Sequence, residues 1–123
     1  MKDIRYDAEG DILYVTFAGD EGQASTGVEL TDNIVLYFNP ETGRPLKLII
    51  VSYMCLLEAS AKAPVLLEKL TKQPSALREM VVRLLCTAPV SNFLRLVEFK
   101  PNLAGSVGRV FTPEVLKLSL IHI

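Results

Sequence analysis

Histidine is all but missing from this chain: of 123 residues only His122 carries an imidazole, one place from the C-terminus. A serine or cysteine nucleophile needs a base and an orienting group within hydrogen-bond reach. Ser-His and Cys-His pairs are therefore excluded unless His122 folds back onto Cys55 or Cys86. Those are the two cysteines of the chain, far apart and set among apolar residues. They have neither the close spacing nor the histidine neighbours of a metal or redox site, so both are read as reduced thiols buried as small hydrophobes. Long apolar runs are missing too. The longest, Leu48 to Leu57, is half of the roughly 20 residues that a membrane-spanning helix needs. No secretory signal fits the start, where Met1-Lys2-Asp3-Ile4-Arg5-Tyr6-Asp7 is polar in place of an apolar core. These absences predict a cytoplasmic protein with no membrane segment, no cofactor and no metal.

The remaining composition is that of a globular domain. Hydrophobic residues make up 50% and charged residues 22%, which excludes a disordered or collagen-like chain. At 123 residues a single domain from 1 to 123 is expected, large enough to fold without disulfides. The net charge of −1 hides an asymmetry: residues 1–61 hold four basic and ten acidic side chains, residues 62–123 nine and four. Halves of opposite sign neutralise each other across a fold, pair between chains, or face different partners.

Residues 1–51 read as strands joined by turns. Ile4-Arg5-Tyr6 alternates, Asp7 to Asp11 is a turn, and Ile12 to Phe17 is rich in β-branched and aromatic residues. Ala18 to Gly27 is a loop, Val28-Glu29-Leu30 a short strand, and Asp32-Asn33 a tight turn. Ile34 to Phe38 is apolar on both faces, as in a central strand covered on both sides. Asn39 to Gly43 turns the chain, with Gly43 free to take positive φ, and Pro45 to Val51 is the last strand. Hairpin-like spacing predicts an antiparallel meander of about five strands, with Tyr14, Leu36 and Ile50 on its core face.

After Val51 the period changes. Ser52 is read as the cap of a helix running to Ala63, which Pro64 ends. Val65 to Lys72 reads as a short helix carrying Leu66, Leu67 and Leu70. Ser75 is read as the cap of the clearest helix, whose Leu77, Met80, Val81, Leu84 and Leu85 form one stripe at helical spacing. Glu79 and Arg83 form an i,i+4 pair on its wet side. Beyond it come a strand at Leu94 to Phe99, a loop from Asn102 to Gly108, a helix start at Thr112-Pro113-Glu114 and a tail of undecided structure. Residues 52–123 are thus a mainly helical extension of the β half, and the fold class is α+β, a sheet packed on helices with a mixed C-terminal segment.

The β half resembles a family of small prokaryotic proteins catalogued as domain of unknown function 2283. Ile4-Arg5-Tyr6-Asp7, Glu9, Asp11, Leu13-Tyr14-Val15 and Phe17 carry the resemblance. Val28-Glu29, the apolar run at 34–38, Gly43 and Ile49-Ile50 extend it to about residue 51. The resemblance implies a small sheet-rich fold without an established activity. Some members are thought to lie beside toxin-like genes, which implies an antitoxin-type or accessory role.

Few residues suggest chemistry. Asp7-x-Glu9-x-Asp11 opens like a calcium loop, but the sixth and twelfth positions hold Ile12 and Ala18 where glycine and glutamate are needed. The acids are better read as shaping a turn. Gly105-Ser106-Val107-Gly108 lacks the further glycines and the Lys-Ser/Thr pair of a phosphate loop. A small enzyme would have to work with Asp7, Asp11 and Asp20. The cations of the second half, among them Lys62, Lys69, Lys72, Arg78 and Arg83, are spread singly without interleaved aromatics, against a nucleic-acid surface.

Association has more behind it. A mean hydropathy of +0.31 is high for a soluble chain, and Val65-Leu66-Leu67 with Val81-Val82 exceeds what one helix stripe needs. The expectation is a non-enzymatic, self-associating interaction protein, a homodimer or a complex with another protein, using Leu66, Leu67, Val82, Arg78 and Arg83 as its surface. The alternative is an antitoxin-like or nucleic-acid-binding accessory that uses the basic second half.

Overall fold

The computed structural model describes residues 3–19, 21–62 and 65–94, together with a short strand at 107–108. Five strands form one sheet: β1 (Asp3–Asp7), β2 (Ile12–Thr16), β3 (Thr26–Thr31), β4 (Ile34–Phe38) and β5 (Pro45–Val51). Helix α1 (Tyr53–Lys62) follows, then β6 (Val65–Leu66), a 3-10 turn at Leu70–Lys72, helix α2 (Ser75–Leu85), a 3-10 turn at Val90–Asn92 and β7 (Val107–Gly108). The fold is α+β, as the change of period after Val51 predicts.

All neighbouring strands are antiparallel, but their order is β1-β2-β5-β4-β3 and not the sequential order of a plain meander. Short turns set the β1–β2, β3–β4 and β4–β5 hairpins. The β2–β3 connection, residues 17–25, is too long for a tight hairpin, so β5 takes the place beside β2. Carrying the chain from β2 to β3 means crossing three strand spacings, about 14 Å. Nine extended residues reach about 30 Å. Along the way Phe17 N–H donates to the Leu46 carbonyl at 2.8 Å, and the Asn39 amide donates to Gln23 Oε1 at 3.0 Å.

Strand periodicity divides the sheet into two faces. Leu13 and Val15, Val28 and Leu30, Ile34, Leu36 and Phe38, and Leu48 and Ile50 join one core with Tyr53, Leu70, Val81, Leu84 and Leu85 from the helical half. Tyr14 is not among them. It pairs with Ile49, one step out of phase with the Leu13–Ile50 pair, and lies on the opposite face. A strand buries every second residue, and β2 spends its buried positions on Leu13 and Val15.

The helical half departs from its sequence reading in its caps and in one element. Ser52 takes φ 54°, a left-handed turn residue and not the extended conformation of a capping serine. The cap comes from Asp11, whose carboxylate accepts the Met54 N–H at 3.1 Å and whose carbonyl accepts the Tyr53 N–H at 3.0 Å. In α2, Pro74 holds the N-cap position without a side-chain cap, and Ser75 is the first helical residue. Val65 to Lys72 is a strand and a 3-10 turn in place of a helix. Val65 and Leu66 pair with Gly108 and Val107, and the Leu70 N–H closes onto the Leu67 carbonyl at 3.1 Å. That turn points Leu67 and Leu70 inward together, because residues three apart eclipse in a 3-10 helix. Both cysteines are exposed, not buried: the buried positions of α1 are Tyr53 and Ser60, and Cys86 lies just past the end of α2.

Candidate interaction surface

The face of the sheet turned away from the helices has its own composition. Hydrogen-bonded pairing sets Arg5, Tyr14, Ile49, Val35 and Glu29 in one row across β1, β2, β5, β4 and β3. The next row runs Asp3, Thr16, Lys47, Tyr37 and Gly27. Ile12 and Val51 pair beside the first row on its other side. Ile12, Tyr14, Val35 and Ile49 are partly accessible, and Val51 is exposed at 39%. None of these five belongs to the core cluster or packs against it. An apolar belt therefore lies on β2, β5 and β4, with charged residues on β1 and β3 at either side.

Cations shape the face through the rings beneath them. The Arg5 guanidinium stands 4.6 Å from the Tyr14 ring centroid, and Lys47 Nζ stands 5.6 Å from that of Tyr37. The Tyr37 ring lies over Gly27, where an added Cβ would come within 2.7 Å of ring carbon Cε1. At the β3 edge Glu29 accepts from Lys69 at 2.6 Å, and Lys69 also reaches Asp32 at 2.8 Å. The hydrogen bond from Lys69 lowers the pKa of Asp32, and the two carboxylates raise that of Lys69.

Beside the lysine row a shallow cavity of about 340 Å³ opens between Thr16, Gly19, Ser25, Tyr37 and Lys47. Among the described residues its lining holds one cation, Lys47, and no carboxylate. Asp7 and Asp11, two of the carboxylates considered for catalysis, accept backbone N–H groups. Asp7 Oδ1 accepts the Gly10 N–H at 3.3 Å within the β1–β2 turn. Asp11 caps α1 and accepts the Tyr6 hydroxyl at 2.6 Å, which pushes the Tyr6 pKa up to about 12. Asp20, His122, Gly105, Ser106 and the elements expected at 95–99, 112–114 and the tail lie outside the described residues.

The five residues expected to form the interaction surface lie in different environments. Leu67 is 1% exposed and part of the core, so it presents nothing to a partner. Val82 is half-buried and packs against the same core. Arg78 is partly buried and donates to the Thr71 carbonyl at 3.3 Å. Leu66, at 51% exposed, and Arg83 remain accessible. This face, open among the described residues, was missed because strands apolar on both faces read equally as strands covered on both sides. The signal was in the pairing of Tyr14, Val35 and Ile49, which lies beyond a one-dimensional reading.

These strands are also what the chain shares with other proteins. Residues 3–51 match the family described as protein of unknown function (DUF2283). The resemblance carried by Tyr6, Asp11 and Tyr14 holds over the whole sheet and stops at its last strand residue. No curated protein and no solved structure matches the chain. Within the matched region Tyr6 and Asp11 have a physical role: they join the first hairpin to the start of α1, just past the end of the match.

Proposed function

We propose that this protein is a non-enzymatic interaction module that associates with itself, and that the bare face of the sheet is its docking surface. One observation supports the reading above the others: Ile12, Tyr14, Val35, Ile49 and Val51 form a contiguous apolar belt outside the core. An exposed apolar patch on one sheet face is what a protein partner covers. Of the carboxylates that an enzyme would use, Asp7 and Asp11 are engaged in a turn and a helix cap. In the basic half, Lys69 is held between Glu29 and Asp32 and Arg78 turns back onto Thr71, so two of the cations that the nucleic-acid reading would use are engaged within the chain. The test is the solution mass of the full chain across a concentration series. A species heavier than 13.6 kDa that dissociates on dilution is expected, and a monomer at every concentration overturns the reading.

A further inference from the structure

We infer that the bare sheet face pairs with a second copy of itself about a two-fold axis running parallel to the strands, each Arg5 meeting Glu29 of the other copy. This rests on the reading of the face as a self-association surface and adds its geometry. Lateral pairing is disfavoured at both edges, because β1 carries Asp3, Arg5 and Asp7 on the open face and β3 carries Glu29 with Lys69 and Asp32 beside it. Face-to-face packing of two identical sheets allows two simple axes in the plane between them. An axis across the strands lays β1 over the partner's β1, opposing Arg5 with Arg5 and Asp3 with Asp7. Like charges brought together at an interface suppress association.

An axis along the strands gives the opposite result. It lays β1 over the partner's β3 and leaves each residue in its own row. The row Arg5, Tyr14, Ile49, Val35, Glu29 is positive at one end and apolar in the middle, and it ends in Glu29, which shares Lys69 with Asp32 so that two carboxylates about one ammonium leave that end net negative. Turned about that axis it meets its own complement: cation over carboxylate twice, with the Ile49 side chains stacked at the centre. Lys47 lies on β5 near the axis, but it leans toward the Tyr37 ring, so the two ammonium groups diverge. Charge complementarity in one row therefore selects a second copy of this chain as the occupant.

Sedimentation equilibrium on the full-length chain and four variants tests the inference. Ile49→Arg should be monomeric at concentrations where the wild type is dimeric. Arg5→Glu and Glu29→Arg should each raise the dimer dissociation constant by about tenfold or more, since each creates two like-charge contacts. The double variant R5E/E29R should recover the wild-type constant. Circular dichroism melts establish that each variant is folded, as exposed positions should allow. A monomeric wild type overturns self-association and this inference with it. A dimer that survives Ile49→Arg overturns the face. A dimer broken by Ile49→Arg but not restored by the double reversal overturns the axis and leaves the face standing.

Discussion

Asp11 ties the first hairpin to the start of α1. Sitting at φ 54° at the end of the first turn, it accepts from Tyr6, Tyr53 and Met54 through its carboxylate and carbonyl. Asp11→Ala is expected to cost about 1–3 kcal/mol, the loss of a helix cap and of a charged hydrogen bond, read as a lowered midpoint in urea. Tyr6 gives the same contact a pH signature. Its folded pKa of about 12 lies above the ordinary tyrosine value of 10.0, so the neutral hydroxyl is the form that folding favours. The contribution is complete below pH 10 and is lost as pH rises through about 12. Tyr6→Phe should flatten the fall in stability across that window, measured by urea titration at stepped pH. The sequence showed that Asp11 shapes a turn; that it caps a helix beginning 42 residues later was invisible, because the contact is made through space.

Among elements, the strands and the two helices were legible to within a few residues, and the segment between the helices was not. A strand announces itself by alternation and by the turn residues on either side, and both signals are local. Gly43 illustrates this: it sits at φ 76° in the turn where Asn39 Oδ1 accepts the Glu41 N–H at 2.8 Å. The segment Val65 to Lys72 is different. Its leucines fit a helix or a strand followed by a 3-10 turn, and pairing with Val107 and Gly108 selects the second. The outcome separates two adjacent leucines. Leu67→Ala should destabilise by about 2–5 kcal/mol, whereas Leu66→Ala should stay within about 0.5 kcal/mol, compared by thermal melts. On the sheet, Gly27→Val should displace the Tyr37 ring, seen as a changed tyrosine near-ultraviolet circular dichroism signal, because a Cβ meets that ring at 2.7 Å.

At the scale of the whole molecule, the acidic β half and the basic helical half touch through Lys69, which bridges Glu29 and Asp32 from the 3-10 turn. Such exposed ion pairs add little to stability. Lys69→Ala should therefore leave the melting temperature unchanged within error. What joins the halves is burial: Leu70, Val81, Leu84 and Leu85 share one buried core with Leu36, Leu48 and Ile50. Composition and periodicity were enough to determine an α+β chain, five antiparallel strands and a shortage of catalytic groups, since each is a property of neighbours along the chain. Strand order, the Asp11 cap, the burial of Leu67 and the bare face carrying Tyr14, Val35 and Ile49 were decided by the tertiary structure. Each depends on which distant segment lies alongside, and one-residue shifts in pairing exchange the two faces of a sheet without altering its pattern.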